Sequence, residues 1–265
     1  MVRRIGLVVE PLDVLFFRDG RPFEAGSRGV GGVPTPQVMA GALRGRLWAD
    51  LGLDFSRMRD ALDAASTVEG AAETLLPANH RWAAHVRFCG PWFCTGGNGT
   101  APEPRVRLPA DLRRAKGQTG TLRRLRVASR PPPGWTAPAD GMRPMWHFAP
   151  DDLEKAGGFL TPRGLERYLA GGTPEAGPEA DDAGREWEVE AQLFRWEDRT
   201  GIAVDPATGC ARDRHLFSVR FLRMEKGVGL YEEVELPDEA PSDAAARLEG
   251  TIALGGEGRR AAVRV

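Results

Sequence analysis

One stretch near the N-terminus fixes how this chain must begin to fold. Residues 3–9 end in Leu7-Val8-Val9, a run that reads as a strand buried on at least one face. The chain continues through Pro11-Leu12-Asp13-Val14-Leu15-Phe16-Phe17-Arg18-Asp19-Gly20-Arg21-Pro22-Phe23, then past Gly26, Gly29, Gly31 and Gly32 to Thr35-Pro36. Thr35 is a good N-cap, and Pro36 suits the first helical position, where a missing N–H is harmless. Val38, Met39, Ala42, Leu43, Leu47 and Leu51 then recur at helical spacing, and Gly52 is placed to stop the helix. A strand, a long Gly/Arg loop and a helix therefore open the fold. Glycines let the main chain approach a ligand closely, and arginines supply forked donors to phosphate oxygens. Such a loop suits a phosphate backbone. Leu15, Phe16, Phe17 and Phe23 crowd its charges more tightly than a solvated loop requires.

Gly41 and Gly45 lie about one turn apart on that helix, and each weakens a helix by about 1 kcal/mol relative to alanine. Their spacing predicts a small face pressed against a sheet or another backbone. Residues 57–75 carry a second, alanine-rich helical pattern, and His85-Val86-Arg87-Phe88 alternates as a strand. Residues 95–140 are rich in Gly, Pro, Arg and Thr with poor periodicity, which predicts an inserted arm or hairpin. Its most strand-like part is Arg123-Arg124-Leu125-Arg126-Val127, closed by Pro131-Pro132-Pro133-Gly134. Residues 151–170 read as a helix interrupted near Gly157-Gly158 and Pro162, and the acidic segment 171–184 reads as a flexible boundary. Strands follow near 187–196, 214–224 and 229–236, with a turn at Asp205-Pro206-Ala207-Thr208-Gly209. Ser242-Asp243 caps a short helix through Leu248, and residues 251–254 and 261–265 flank a glycine-rich turn. Periodicity alone gives an α+β class.

The 265 residues suit one large or two small domains. No run of about 18 apolar residues exists, so no membrane-spanning helix is expected. The N-terminus reads directly into a strand without a signal-peptide core, and three cysteines, an odd number, make no disulfide framework. Both point to a reducing cytoplasm. A net charge of −1 argues against a uniformly basic nucleic-acid binder. Distribution matters more. Between Arg105 and Arg130 stand Arg107, Arg113, Arg114, Lys116, Arg123, Arg124 and Arg126 against one acid, Asp111; between Glu175 and Glu190 the acids dominate. One face is thus suited to RNA and another to water or a basic partner.

The candidate residues each admit two readings. Arg18, Gly20 and Arg21 either grip phosphates or a base edge, with Asp19 fixing one guanidinium, or form Arg18–Asp19 and Arg21–Glu24 ion pairs that shape a surface loop. Arg44 and Arg46 are either a solvated helix face or part of an anion groove shared with the loop and the helix N-terminus. Gly255, Gly256 and Gly258, followed by Arg259, are either a plain β-turn or a backbone cradle with a cation beside it. The arm carrying Arg123, Arg124 and Arg126 either lies along nucleic acid, docks on an acidic partner or solubilises the chain. Arg28 joins these as a possible contact. His80, His85, Cys89 and Cys94 are spaced like no common zinc site and read as core and surface residues. Of the seven tryptophans, Trp135, in a Pro/Gly setting, is the one suspected of contact. No phosphate loop, dinucleotide fingerprint, paired metal carboxylates or nucleophile elbow is present, so neither catalysis nor a cofactor or metal is expected.

Residues 11–23, Pro34-Thr35-Pro36 and Ala40-Gly41-Ala42-Leu43-Arg44 resemble the N-terminal signature of a CRISPR subunit family. That family is the third subunit of the type III-B (Cmr) effector complex, of the RAMP superfamily. Weaker echoes lie at Arg199-Thr200-Gly201-Ile202, His215-Leu216-Phe217 and Leu254-Gly255-Gly256-Glu257-Gly258-Arg259. The resemblance implies two ferredoxin-like (RRM-like, βαββαβ) units, an N-terminal one over 1–184 carrying the arm and a C-terminal one over 185–265. It implies a non-catalytic subunit that holds the repeat-derived 5′ tag of the crRNA and bridges the Cas10-type large subunit to the backbone RAMP subunit. The RNA grip then falls on Arg18, Gly20, Arg21, Arg44, Gly255, Gly256, Gly258 and Arg259, with Arg46, outside the matched segment, as a further RNA-binding candidate on the helix. Family members usually continue past the glycine-rich loop, so a chain ending at Val265 implies a fragment, a split subunit or a reduced variant, with the C-terminal unit incomplete. A RAMP endoribonuclease cutting repeat RNA with His80, His85, His147 or His215 is the enzymatic alternative, and a protein-only scaffold is the other.

Overall fold

The computed structural model describes residues 2–18, 28–29, 31–96, 100–118, 120–130, 133–137, 139, 141–147 and 152–265. Asp19, Gly20 and Arg21 lie outside the described residues, and Arg28 is described by its backbone alone. Contacts divide the chain into a larger unit, Met1–Pro102 with Leu193–Val265, and a smaller one, Glu103–Gln192. The division expected at 184/185 falls inside the smaller unit. Its cause is non-local pairing, because the last strands of the chain complete the sheet that the first strand begins.

In the larger unit the strand Arg3–Pro11 lies in the middle of an antiparallel sheet. Its neighbours are Val228–Leu236 on one side and Arg260–Arg264 on the other; Arg87–Thr95 and Gly250–Ala253 flank these in turn. Leu7 and Val9 are fully buried on this central strand, as their apolar run predicts. The helix Pro36–Asp50 packs against Arg87–Thr95 and Gly250–Ala253 through Met39, Leu43, Leu47 and Trp48, which recur at i, i+4, i+8 and i+9. Burying each of the larger side chains stabilises by roughly 1.5–3 kcal/mol before entropy is counted. Thr35 caps the helix, its hydroxyl accepting from the amide of Val38 at 3.4 Å, and Pro36 stands in the first turn as expected. Gly52, at φ +86°, follows its end in the left-handed region.

Two expectations for this unit change. The alanine-rich pattern at 57–75 is two helices, Met58–Ala64 and Val68–Leu75, because Thr67 starts the second by accepting from the amide of Gly70 at 3.1 Å. The Gly41/Gly45 face does not press on a sheet or backbone among the described residues: a Cβ at either position would meet none of their atoms within 4 Å. That face opens instead into a groove of about 470 Å³ walled by Arg44, Trp48, Phe55, Val68 and Phe88.

Phe194–Val204 and Ala211–Met224 form a long antiparallel hairpin in the same unit, irregular between Ile202 and Val204. The smaller unit is more ordered than an arm. Leu112–Ala115 is flanked by Leu122–Arg124 and Leu153–Lys155, while Glu103–Arg107, Phe159–Leu160 and Trp187–Glu188 form a second antiparallel set. Leu112, Leu122, Ala156, Leu160 and Trp187 close its core. The helix expected over 151–170 is reduced to Pro162–Leu169, because Leu153–Lys155 and Phe159–Leu160 are drawn into strands. The acidic segment is anchored rather than loose. The buried carboxylate of Glu186 accepts from the Glu175 amide at 2.6 Å and from Arg167 at 3.0 Å. The short late helix is a 3-10 turn, Ala246–Leu248. The class is α+β with antiparallel sheets.

Candidate functional site

In the larger unit the opening segment, the glycine-rich turn and the hairpin meet. Leu15 and Leu222 exchange backbone hydrogen bonds of 2.9 and 2.8 Å, which seats residues 14–16 along the hairpin. Val14, Phe16, Val219 and Phe221 then bury one another as a small satellite core, the Phe16 and Phe221 rings 5.4 Å apart. The glycine-rich turn sits on the same segment: the Gly256 amide donates to the Phe16 carbonyl at 2.8 Å, and the Leu12 amide donates to that of Arg260 at 3.0 Å. Its glycines divide by role. Gly255 has φ +81°, and a Cβ there would lie 2.4 Å from the Phe16 carbonyl oxygen. Gly256 faces the Phe16 ring, where a Cβ would stand 3.1 Å away. Gly258, at φ +64°, faces open space, so the turn's outer edge can be approached closely.

Charge collects around this junction. Asp13 lies 3.2 Å from Arg259 and 3.3 Å from Arg223. Glu197 bonds Arg199 at 2.6 Å and also accepts from Arg223 Nε. Both the Arg199 and Arg259 guanidiniums stand within 5 Å of the Phe221 ring centroid. The hydrogen bond from Arg223, then that from Arg199, holds the Glu197 carboxyl down at about 2, and Glu197 in turn holds the Arg223 guanidinium up. Three guanidiniums thus share two carboxylates, leaving a net positive, partly exposed cluster beside an aromatic ring. Arg259 Nε is buried without a hydrogen-bond partner among the described residues.

The Gly/Arg loop is pinned at its base. Arg18 bridges to Gly31, the Gly32 amide donates to the Phe17 carbonyl at 2.9 Å, and Arg28–Gly29 runs parallel to Ser218 and Val219 of the hairpin. Gly31 is required there, since a Cβ would fall 2.3 Å from the Arg220 carbonyl oxygen. The two ends of the loop are therefore held together on the hairpin that carries the arginine cluster.

The other anticipated residues are distributed differently. Arg44 borders the groove on the first helix, 3.3 Å from Glu69, with its guanidinium 5.8 Å from the Phe88 ring and its Nε buried without a hydrogen-bond partner among the described residues. Arg46 ties helix to sheet, donating to Asp50 at 2.8 Å and to the carbonyl of Thr251 at 2.9 Å. Arg123, Arg124 and Arg126 belong to the smaller unit; Arg124 is built into it, donating to Asp111 at 3.0 Å and lying 4.1 Å over the Tyr168 ring. Trp135 is half-buried. Among the described residues no group of three or more His, Cys, Asp or Glu is placed to hold a metal ion. Among the described residues no helix is long and apolar enough to cross a membrane.

Sequence reasoning missed Asp13, Glu197, Phe221 and Arg223. Arg199 carried a signal through its place in the Arg199-Thr200-Gly201-Ile202 echo, and Asp13 through its place in the signature at 11–23, though neither pointed to an ion pair.

A family model described as CRISPR-associated protein (Cas_Cmr3) matches residues 7–265. The chain belongs to that family. The match takes in the signature at 11–44 and all three later echoes, so the resemblance to the third type III-B subunit holds for the family member described here. Among solved structures it is similar to a chain of type III-B Cmr-beta bound to cognate target RNA, with 17% identity and a TM-score of 0.51, over 98% of this chain and 64% of that one. A chain of Cmr-beta bound to cognate target RNA and AMPPnP has a TM-score of 0.49 at 17% identity, over 98% and 62%. At that identity the likeness is one of fold, and this chain spans just under two thirds of the chains it matches. No curated protein matches it in sequence.

Proposed function

We propose that this chain is a non-catalytic RNA-holding subunit of a type III-B CRISPR effector, gripping the repeat-derived 5′ tag of the crRNA. The carrying observation is the convergence of a pinned Gly/Arg loop, a glycine turn open at Gly258 and three arginines sharing Asp13 and Glu197. A closely approachable backbone, positive charge and a nearby aromatic suit an unpaired RNA end, whose phosphates meet guanidiniums and whose bases splay. Arg18, Gly20, Arg21, Gly255, Gly256, Gly258 and Arg259 make up the grip, with Arg199 and Arg223 behind it and Arg44 as a separate contact on the first helix. Arg46 serves it indirectly by locking the helix to the sheet. The chain bridges a Cas10-type large subunit and a backbone RAMP subunit in this reading. The strand order of the larger unit supports a ferredoxin-like (βαββαβ) reading: Arg3–Pro11 pairs with Val228–Leu236 and Arg260–Arg264, and Arg87–Thr95 lies outside Val228–Leu236.

The test is to affinity-purify the tagged chain from its native host and sequence the RNA that accompanies it. Short CRISPR-derived RNAs sharing one 5′ repeat tag, reduced by Arg18→Ala/Arg21→Ala and by Arg259→Ala, are expected. Partner proteins recovered without RNA would replace this reading with a protein-only scaffold. Cleavage of repeat RNA in EDTA that is lost on replacing one histidine would replace it with the endoribonuclease.

A further inference from the structure

The smaller unit holds a cavity of about 560 Å³, whose lining includes Thr121, Arg123, Arg126, Trp146, His147 and Glu175. That volume is of the size that takes one nucleotide or another small ligand. Its aromatic wall is unusual for this chain: Trp146 is 44% exposed and is the only tryptophan among the described large apolar side chains turned to solvent. Arg126 stands directly opposite it in the antiparallel pair Arg126–Val127 with Met145–Trp146, so the two side chains leave the same face from Cβ atoms about 5 Å apart. Arg126 itself is exposed, and Arg123 comes from the adjoining strand. His147 Nε2 is buried and has no hydrogen-bond partner among the described residues. A buried polar atom left unmade costs free energy until something meets it.

Among the described residues, two acids near the cavity are engaged. Glu175 lies 2.9 Å from Arg167, and Asp111 lies 3.0 Å from Arg124, which also donates to the carbonyls of Tyr168 and Gly172 at 3.1 Å. Arg124 therefore builds the wall, while exposed Arg126, with Arg123 beside it, brings guanidiniums to the lining. A stacking ring with cations on neighbouring strands is the arrangement by which proteins hold single strands: the ring takes a base and the cations follow successive phosphates.

We infer that this cavity receives one unpaired nucleotide of an RNA strand. The base stacks on Trp146, the flanking phosphates meet Arg126 and Arg123, and His147 Nε2 meets a polar group of the base or ribose. The site uses no residue of the opening segment or of the glycine-rich turn, so it stands or falls independently of the tag grip.

The full chain, mixed with a fluorescent decauridylate carrying 4-thiouridine and irradiated, tests this. A cross-link on the tryptic peptide 127–155 is expected, its Arg130–Pro131 and Arg143–Pro144 bonds being resistant to trypsin. Trp146→Ala should abolish it and weaken binding at least about fivefold, as loss of one stacked base implies. Trp146→Phe should restore most of the affinity, and Arg126→Glu should lower the salt dependence by about one phosphate contact. Arg18→Ala should leave the Trp146 cross-link in place. Cross-links confined to other peptides, or unchanged affinity in Trp146→Ala with its melting temperature preserved, would overturn the site. Uridine monophosphate quenching tryptophan fluorescence as tightly as the decamer binds would overturn the strand reading in favour of a free-nucleotide pocket.

Discussion

Glu232 sits on the inner face of its strand opposite Leu7, fully buried, and neither carboxyl oxygen has a hydrogen-bond partner among the described residues. Burial raises its pKa from 4.5 to about 8. The folded state therefore keeps a proton that the unfolded state has lost between about pH 4.5 and 8, and stability falls as pH rises through that window. Glu232→Gln removes this dependence. Its melting temperature should exceed that of the parent by several degrees at pH 8.5, and the gap should close toward pH 5; identical pH profiles for the two proteins would refute the assignment. The glycine-rich turn yields a second prediction. Gly255→Ala drives a Cβ into the Phe16 carbonyl in a left-handed backbone, whereas Gly258→Ala meets only the backbone penalty of about 1–2 kcal/mol. Denaturant titration should show the Gly255 change to be clearly the costlier.

Elements set by their own residues were legible in the sequence. Thr35-Pro36 capping, the Met39, Leu43 and Leu47 spacing and the strand near 229–236 all appear where local patterning puts them. What escaped is non-local. Asp13 and Glu197 acquire their meaning only when a hairpin near residue 200 folds onto the opening segment, and no spacing rule joins positions so far apart. The Arg/Pro/Gly region looked like an arm because its strands are two to five residues long, too short for a period to show. Its helix, by contrast, begins on a recognisable cap. Buried Thr161 accepts from the Gly164 amide at 3.2 Å and donates to the Arg185 carbonyl at 2.8 Å. Thr161→Ala should destabilise by about 1–2 kcal/mol in chemical denaturation, with Thr161→Ser recovering most of the loss.

At the scale of the whole molecule the chain makes two units, each with its own core. Trp187 is the largest side chain fully buried in the smaller one. Truncating it to alanine should cost that unit about 3–5 kcal/mol. Hydrogen exchange should then accelerate across residues 103–192 while the amides of Arg3–Pro11 and Val228–Leu236 keep their protection; uniform acceleration would show the two units to be one cooperative body. The central strand of the larger unit is made first, yet Leu7 waits for Glu232, a partner about 225 positions later. At ordinary translation rates that wait is on the order of ten to forty seconds. The smaller unit, local in sequence, is by then already synthesised. The arginine junction consequently belongs to the end of synthesis: a nascent chain stalled before residue 194 has neither the hairpin nor the glycine turn, and Leu15 and Phe16 have as yet no surface to settle on.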